Sequence, residues 1–145
     1  MNCSLYQVDA FAKHVFSGNS ACVVLLSHWI SDSLLMNIAK ENAVAETAFL
    51  IREEEGYHLR WFTPDIEIDL CGHATLAAGH VVLQHLQPER NAVQFRTVSG
   101  ALEVQQHGNM YRMDLPNRRP ESATLPSAIA EALSIQPIEV FKARD

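Results

Sequence analysis

The chain has 145 residues, 48% of them hydrophobic and 19% charged, which fits one ordinary globular domain with a core of its own. With 17 acidic against 11 basic residues the formal net charge is -6, and no Lys/Arg cluster is longer than Arg118-Arg119, so no nucleic-acid partner is expected. The 3 cysteines, Cys3, Cys22 and Cys71, lie far apart in apolar or strand-like surroundings and point to a reducing, cytoplasmic setting; no run approaches the roughly 20 apolar residues of a membrane span, and the start lacks the pattern of a signal peptide.

In chain order, Ser4 to Asp9 reads as a short strand with apolar residues on both faces, which predicts a place inside a sheet. Gly18-Asn19-Ser20 is a turn signal, and Ala21-Cys-Val-Val-Leu-Leu26 that follows is a β-branched apolar run expected to be a buried strand. Ser31 or Asp32 can cap a helix whose stripe of Leu34, Leu35, Ile38 and Ala39 suits an outer position. Glu46-Thr-Ala-Phe-Leu-Ile51 is a strand that opens on a lone carboxylate, and Glu53, Glu54 and Glu55 form an acidic turn closed by Gly56. Tyr57 to Phe62 alternates apolar with polar, the Thr63-Pro64-Asp65 corner follows, and a short strand runs from Glu67 to Leu70.

From Ala74 to Leu86 almost no residue is polar until Pro88 ends the segment, and a helix apolar on nearly all sides must be surrounded by protein. Three further strands follow in a meander, 92–98, 101–105 and 110–115, joined by turns at Ser99-Gly100 and His107-Gly108-Asn109. Pro116 to Ser122 is expected to be a surface loop, Pro126 to begin a helix through Leu133, and Ile138 to Lys142 to open another strand. About eight strands, mostly antiparallel, and one helix too apolar for a surface call for an α+β fold in which a strongly curved sheet, or partial barrel, wraps a central helix.

Chemistry can collect at two places. Glu46 sits in an apolar context, where an unpaired charge is costly; it is either a strand-end carboxylate facing solvent or a partner, or a general acid/base whose pKa is raised by desolvation. Cys71-Gly72-His73 opens the apolar helix. His73 is either a hydrogen-bonded structural residue or, if the helix end faces a cleft, a group that with the free backbone N–H donors could hold a carboxylate or a developing enolate. Cys71 is either a small core residue or a thiolate favoured by the helix end and able to move a proton. His80 and His85 have no nearby Cys or carboxylate set at metal-ligand spacing, so no metal site is expected. Nor is there a Gly-rich dinucleotide motif, a phosphate-binding loop or a nucleophile elbow.

Three stretches taken together resemble the PhzF-like phenazine-biosynthesis isomerases of the diaminopimelate-epimerase fold: Val8-Asp-Ala-Phe11 with Phe16-x-Gly18-Asn19, Glu46-Thr-Ala-Phe-Leu50, and Phe62-Thr-Pro64-x-x-Glu67-x-x-x-Cys71-Gly72-His73-Ala74-Thr75. Their order and spacing are those of the family's amino-terminal half. The resemblance implies an isomerase working by acid/base proton transfer without metal or organic cofactor, with Glu46 shuttling a proton on a small carboxylate-bearing substrate and His73 assisting it. Gly72, Asn19 and Cys71 would contact the substrate, and the apolar helix would run inside the family's barrel.

By the same likeness residues 1–145 form a single amino-terminal half-domain. The site would then lie in a cleft that a second half, or a second copy in a homodimer, has to close. Where the family often has Ser before the glutamate, this chain has Ala45. Two rival expectations stand beside the isomerase: an epimerase or racemase using Cys71 as base, and a non-catalytic binding or assembly module.

Overall fold

The computed structural model describes residues 2–143, and the chain divides after Leu115 into two units. The first contains β1 (Ser4–Ala10), β2 (Asn19–Leu26), α1 (Asp32–Asn42), β3 (Glu46–Arg52), β4 (Tyr57–Phe62), β5 (Glu67–Ile68), α2 (Gly72–Val81) with a π-helical turn (Val82–Leu86), β6 (Ala92–Thr97), β7 (Gly100–His107) and β8 (Met110–Met113). One sheet in the order β1-β2-β3-β4-β6-β7-β8, with β5 added to β4, curls into a half-barrel. Helix α2 touches β1, β2 and β3 as well as β7 and β8. A sheet can reach one helix from both of its edges only by curling, so the apolar helix and the curvature require each other.

Small residues let the helix approach closely. Ala74, Ala77, Ala78 and Val81 pack against Trp61, Tyr57, Leu59 and Phe95, all fully buried or nearly so, and each large side chain contributes roughly 1.5–3 kcal/mol by leaving water. Across the sheet, Leu35 and Ala39 of α1 cover Val24, Leu26, Phe49 and Phe62, with the two phenyl rings edge to face at 5.6 Å. Strands β2 and β3 are thus covered on both faces, which is why 21–26 is apolar without alternation.

Two pairings are parallel, β2 with β3 across α1 and β4 with β6 across α2, and the rest are antiparallel. The interior position expected for β1 is not observed. It lies at the sheet edge opposite β8, with Tyr6 and Val8 turned to the core and Leu5 exposed, so its apolar residues on the second face did not mark a covered strand. The helix expected to run to Leu86 leaves α-geometry after Val81, where the Gln87 N–H reaches back to the Val82 carbonyl at 2.7 Å.

Between the two edge strands runs an aromatic ladder: Tyr6 of β1 stacks on His85 at 5.2 Å, His85 meets His80 edge to face at 5.8 Å, and the Tyr111 hydroxyl of β8 lies 3.0 Å from His80 Nδ1. Burial first, then the His85 charge, holds His80 below the ordinary histidine value, so the ring that shares this hydrogen bond with the tyrosine is the neutral one. The unfolded chain would bind the proton first as pH drops below about 6.5. The contribution of this ladder is therefore full above that pH and lost as pH falls through the lower folded-state value. The thermal midpoint is expected to fall between pH 7 and 5, and His80→Gln to flatten part of that decline.

In the second unit β9 (Glu121–Ser122) pairs antiparallel with β10 (Phe141–Lys142). Thus 121–122, expected to be loop, is strand. Between them α3 (Ser127–Ala132) starts after Pro126, which stands at the N-cap.

Candidate functional site

Strand order brings the candidate residues to one end of the curled sheet. Because β2 and β3 run parallel with Ala21 opposite Glu46, their first residues, Asn19 and Glu46, lie at the same end. Strand β4 runs back along β3 and finishes there, Phe62 standing across from Thr47. The chain then reverses through a corner built on Thr63, whose hydroxyl oxygen accepts the Asp65 and Ile66 N–H groups at 3.2 and 3.0 Å, and β5 leads into α2. The helix start is delivered beside Glu46 by three consecutive reversals.

The corner is held from outside by a residue the sequence reading did not single out. Arg60 of β4 forks both carboxylate oxygens of Glu67 at 2.7 Å and reaches Asp32 of α1 at 2.8 Å, while its guanidinium lies 5.1 Å from the Trp29 ring and 5.0 Å from the Phe62 ring. Its alternate position on β4, facing away from α2, was the only local signal. The Ser99 hydroxyl adds a bond to the Asp69 carbonyl at 2.7 Å.

Glu46, Cys71 and His73 meet at that end, their ligand-type atoms all within 4.8 Å of one another. His73 lies between the other two. Its Nδ1 is 3.5 Å from Cys71 Sγ and its Nε2 is 3.1 Å from Glu46 Oε2. The second contact is close but not aligned as a hydrogen bond, so Oε2 and Nε2 are both buried polar atoms without a hydrogen-bonding partner. The His73 side chain is only 10% exposed and that of Glu46 19%, and desolvated groups left in this state are costly unless something completes them.

Burial pushes the Cys71 thiol up to about 11; the Ala74 and His73 N–H donors pull it down, and the Glu46 charge pushes it up. Near neutral pH the thiol is therefore protonated, and it shares a hydrogen bond with His73 Nδ1 whose donor follows the imidazole tautomer. Thr75, buried in the first turn of α2, donates its hydroxyl to the Cys71 carbonyl and fixes the turn. A thiol reagent at pH 7.5 is expected to modify exposed Cys3 quickly and to leave buried Cys71 and Cys22 untouched on that timescale, with Cys71 gaining reactivity as pH nears 11 or on unfolding. Peptide mass spectrometry reads this directly.

The other candidates stand apart from the three. Gly72, the first residue of α2, lines an open cavity of about 420 Å³ with Phe11, Leu76, Met113 and Leu115. Asn19 begins β2 paired with Ala10 and is exposed; the contacts among the described residues do not join it to Glu46 or His73. A second open cavity, about 380 Å³, is lined by Trp29, His58, Arg60 and Glu67 among others and includes none of the candidates. Chemistry, not cavity size, marks the site, since the only cluster of at least three carboxylate, imidazole and thiol groups within such range among the described residues is this one.

A sequence model of the PhzC-PhzF family, described as phenazine biosynthesis-like protein, matches residues 8–137. An uncharacterized isomerase of Pseudomonas aeruginosa is 45% identical over 145 residues, covering 100% of this chain and 56% of that protein. An uncharacterized isomerase of Halalkalibacterium halodurans is 40% identical, covering 99% of this chain and 55% of its own length. Among solved structures, a PhzF-family phenazine biosynthesis protein from Enterococcus faecalis superposes with a TM-score of 0.85 at 40% identity, over 97% of this chain and 54% of that one. The chain thus spans about half the length of the curated relatives it matches.

Proposed function

The chain belongs to the PhzC-PhzF family of phenazine biosynthesis-like proteins, and from that membership we propose that it carries the proton-transfer half of an isomerase site acting on a small carboxylate-bearing metabolite. The observation that carries this reading is the buried, unaligned pair of Glu46 Oε2 and His73 Nε2. Two desolvated groups able to exchange a proton, each lacking a hydrogen-bond partner, are poised to act together on a substrate, one as base and the other as donor.

In this reading Glu46 removes a proton from a carbon next to an electron-withdrawing group and returns it to another carbon. A base held close to apolar residues needs no metal for such a transfer. His73, held by Cys71 through Nδ1, presents its Nε2 proton to Glu46 or to the substrate, and so orients the base and steadies developing negative charge. The positive end of α2, with the N–H groups of its first turn, attracts the substrate carboxylate. The use of Cys71 as the base is disfavoured by the same burial that pushes its thiol to about 11, because too little thiolate forms near neutral pH.

The activity of the whole site would need surface from the further length that the relatives possess, or from a second copy, and a homodimer or complementing half is the partner we propose. Carboxylate binding can be tested on this chain. Titrating small unsaturated carboxylic acids into labelled protein is expected to move the amide signals of Gly72, His73 and Ala74 in a saturable way, and His73→Ala to weaken the effect. Shifts confined to other regions would count against the site.

A further inference from the structure

The three groups that meet at the start of α2 are also ligands, and we propose that Glu46, His73 and Cys71 bind one borderline-soft divalent cation of the zinc class, which blocks proton transfer at this site. The set comes from three places in the chain, the first residue of β3, the residue preceding α2 and the first turn of α2, and one atom of each lies within 4.8 Å of the other two. Two of those atoms, Glu46 Oε2 and His73 Nε2, are buried with no hydrogen bond, and the His73 side chain is nine-tenths buried. Such atoms gain most from a ligand that satisfies both.

The dimensions suit a small tetrahedral ion. Carboxylate oxygen and imidazole nitrogen bind zinc at about 2.0–2.2 Å, which puts two such ligands roughly 3.3 Å apart; here they are 3.1 Å apart. The thiolate bond is longer, about 2.3 Å, and Cys71 Sγ, within 4.8 Å of the other two ligand atoms, has to draw in as the ion binds. Three protein ligands leave the fourth position for water or a substrate carboxylate.

The donor set also sets the choice of ion. One oxygen, one nitrogen and one sulfur do not satisfy calcium or magnesium, which require six or more oxygen ligands, whereas they suit zinc or cobalt. The positive end of α2 opposes any cation, but it amounts to about half a charge. Against it stand two anions, the Glu46 carboxylate and the Cys71 thiolate. On binding, the His73 ring takes the tautomer with its proton on Nδ1, which frees the Nε2 lone pair for the ion; the Cys71 S–H bond breaks, that proton goes to solvent, and a sulfur–metal bond forms, so the ion's two charges are balanced by the two anionic ligands.

The binding proposal rests on the geometry of the three groups; only its inhibitory effect rests on the proton-transfer role proposed for Glu46 and His73. The occupied site could not work as a base, because the ion would hold the lone pairs that take the proton. This makes the cluster a metal-sensitive brake and leaves the reaction itself metal-free.

Cobalt(II) titrated into reduced, tag-free protein carrying Cys3→Ser tests the site. One equivalent is expected to produce a thiolate-to-cobalt charge-transfer band and the strong visible bands of a tetrahedral ion, and zinc to displace it. Cys71→Ser should remove the charge-transfer band. Glu46→Gln and His73→Ala should each weaken affinity by at least about tenfold, the scale seen when even an outer partner of a metal ligand is lost. Circular dichroism checks that each variant is folded. No stoichiometric band, or a band that survives Cys71→Ser in folded protein, overturns the site. If the band forms as expected, but solvent-proton exchange into a substrate is unaffected by zinc at saturation, the inhibitory role is overturned. Exchange absent both with and without metal would instead count against the proton-transfer reading while the binding result stands.

Discussion

Glu46→Gln is expected to lower proton exchange into a bound carboxylic acid by about 10²–10⁴-fold, the range for loss of a positioned general base. Glutamine keeps the shape and the β3 ladder position of Glu46 but can neither accept nor release the proton. The fold should be undisturbed, because the carboxylate lost has a buried Oε2 with no hydrogen bond, and replacing a half-buried charge by a neutral amide removes a desolvation cost. The thermal midpoint should stay level or rise. His73→Asn should cost less, since an orienting group rather than the base is removed. Its effect should fall mainly on kcat, whereas loss of the helix-end contacts with the substrate carboxylate would fall on KM.

Gly79→Val is expected to prevent folding, and Gly79→Ala to destabilise the protein by about 2 kcal/mol, although alanine is a better helix former than glycine by about 1 kcal/mol. The reason is the closeness of α2 to β7. A Cβ at position 79 would lie 2.5 Å from Val104 Cγ1 and 2.8 Å from its Cβ, and Val104 is itself fully buried. Neither element can yield without moving the other, because β7 is held in the sheet by β6 and β8. Val104→Ala should partly rescue Gly79→Ala, because it removes the Cγ1 contact and keeps the Cβ one: each change alone destabilises, the first by a cavity and the second by a clash, and together they should cost at least about 1 kcal/mol less than their sum. Additive effects in a thermal or urea titration would contradict the contact.

Much of this structure was legible along the chain. The alternation of Tyr57 to Phe62 and the all-round apolarity of 74–86 already required a sheet bent around a helix, and the boundaries of β3 and β4 follow from the turn residues between them. Pairing partners were not legible. The parallel partnership of β2 and β3 depends on α1 crossing the sheet, and the edge position of β1 on no other strand among the described residues pairing beyond it, which no local pattern records. The π-helical turn at Val82–Leu86 lies within a run whose composition reads simply as helix. At the site, apolar neighbours singled out Glu46 and the helix start singled out His73. Their meeting across 27 positions, and the Arg60 clamp on Glu67 that holds the corner between them, are products of tertiary packing.

The central claim is that the proton moves at Glu46. It is tested most directly by incubating the protein, in whatever oligomeric state it forms, with small unsaturated carboxylic acids in deuterium oxide and reading incorporation by NMR. For an accepted substrate, deuterium should enter the exchanging carbon position with wild-type protein, should be nearly absent with folded Glu46→Gln, and should persist with Cys71→Ser at a reduced rate. Exchange that continues unchanged in Glu46→Gln and disappears in Cys71→Ser would contradict it and move the base to the thiol.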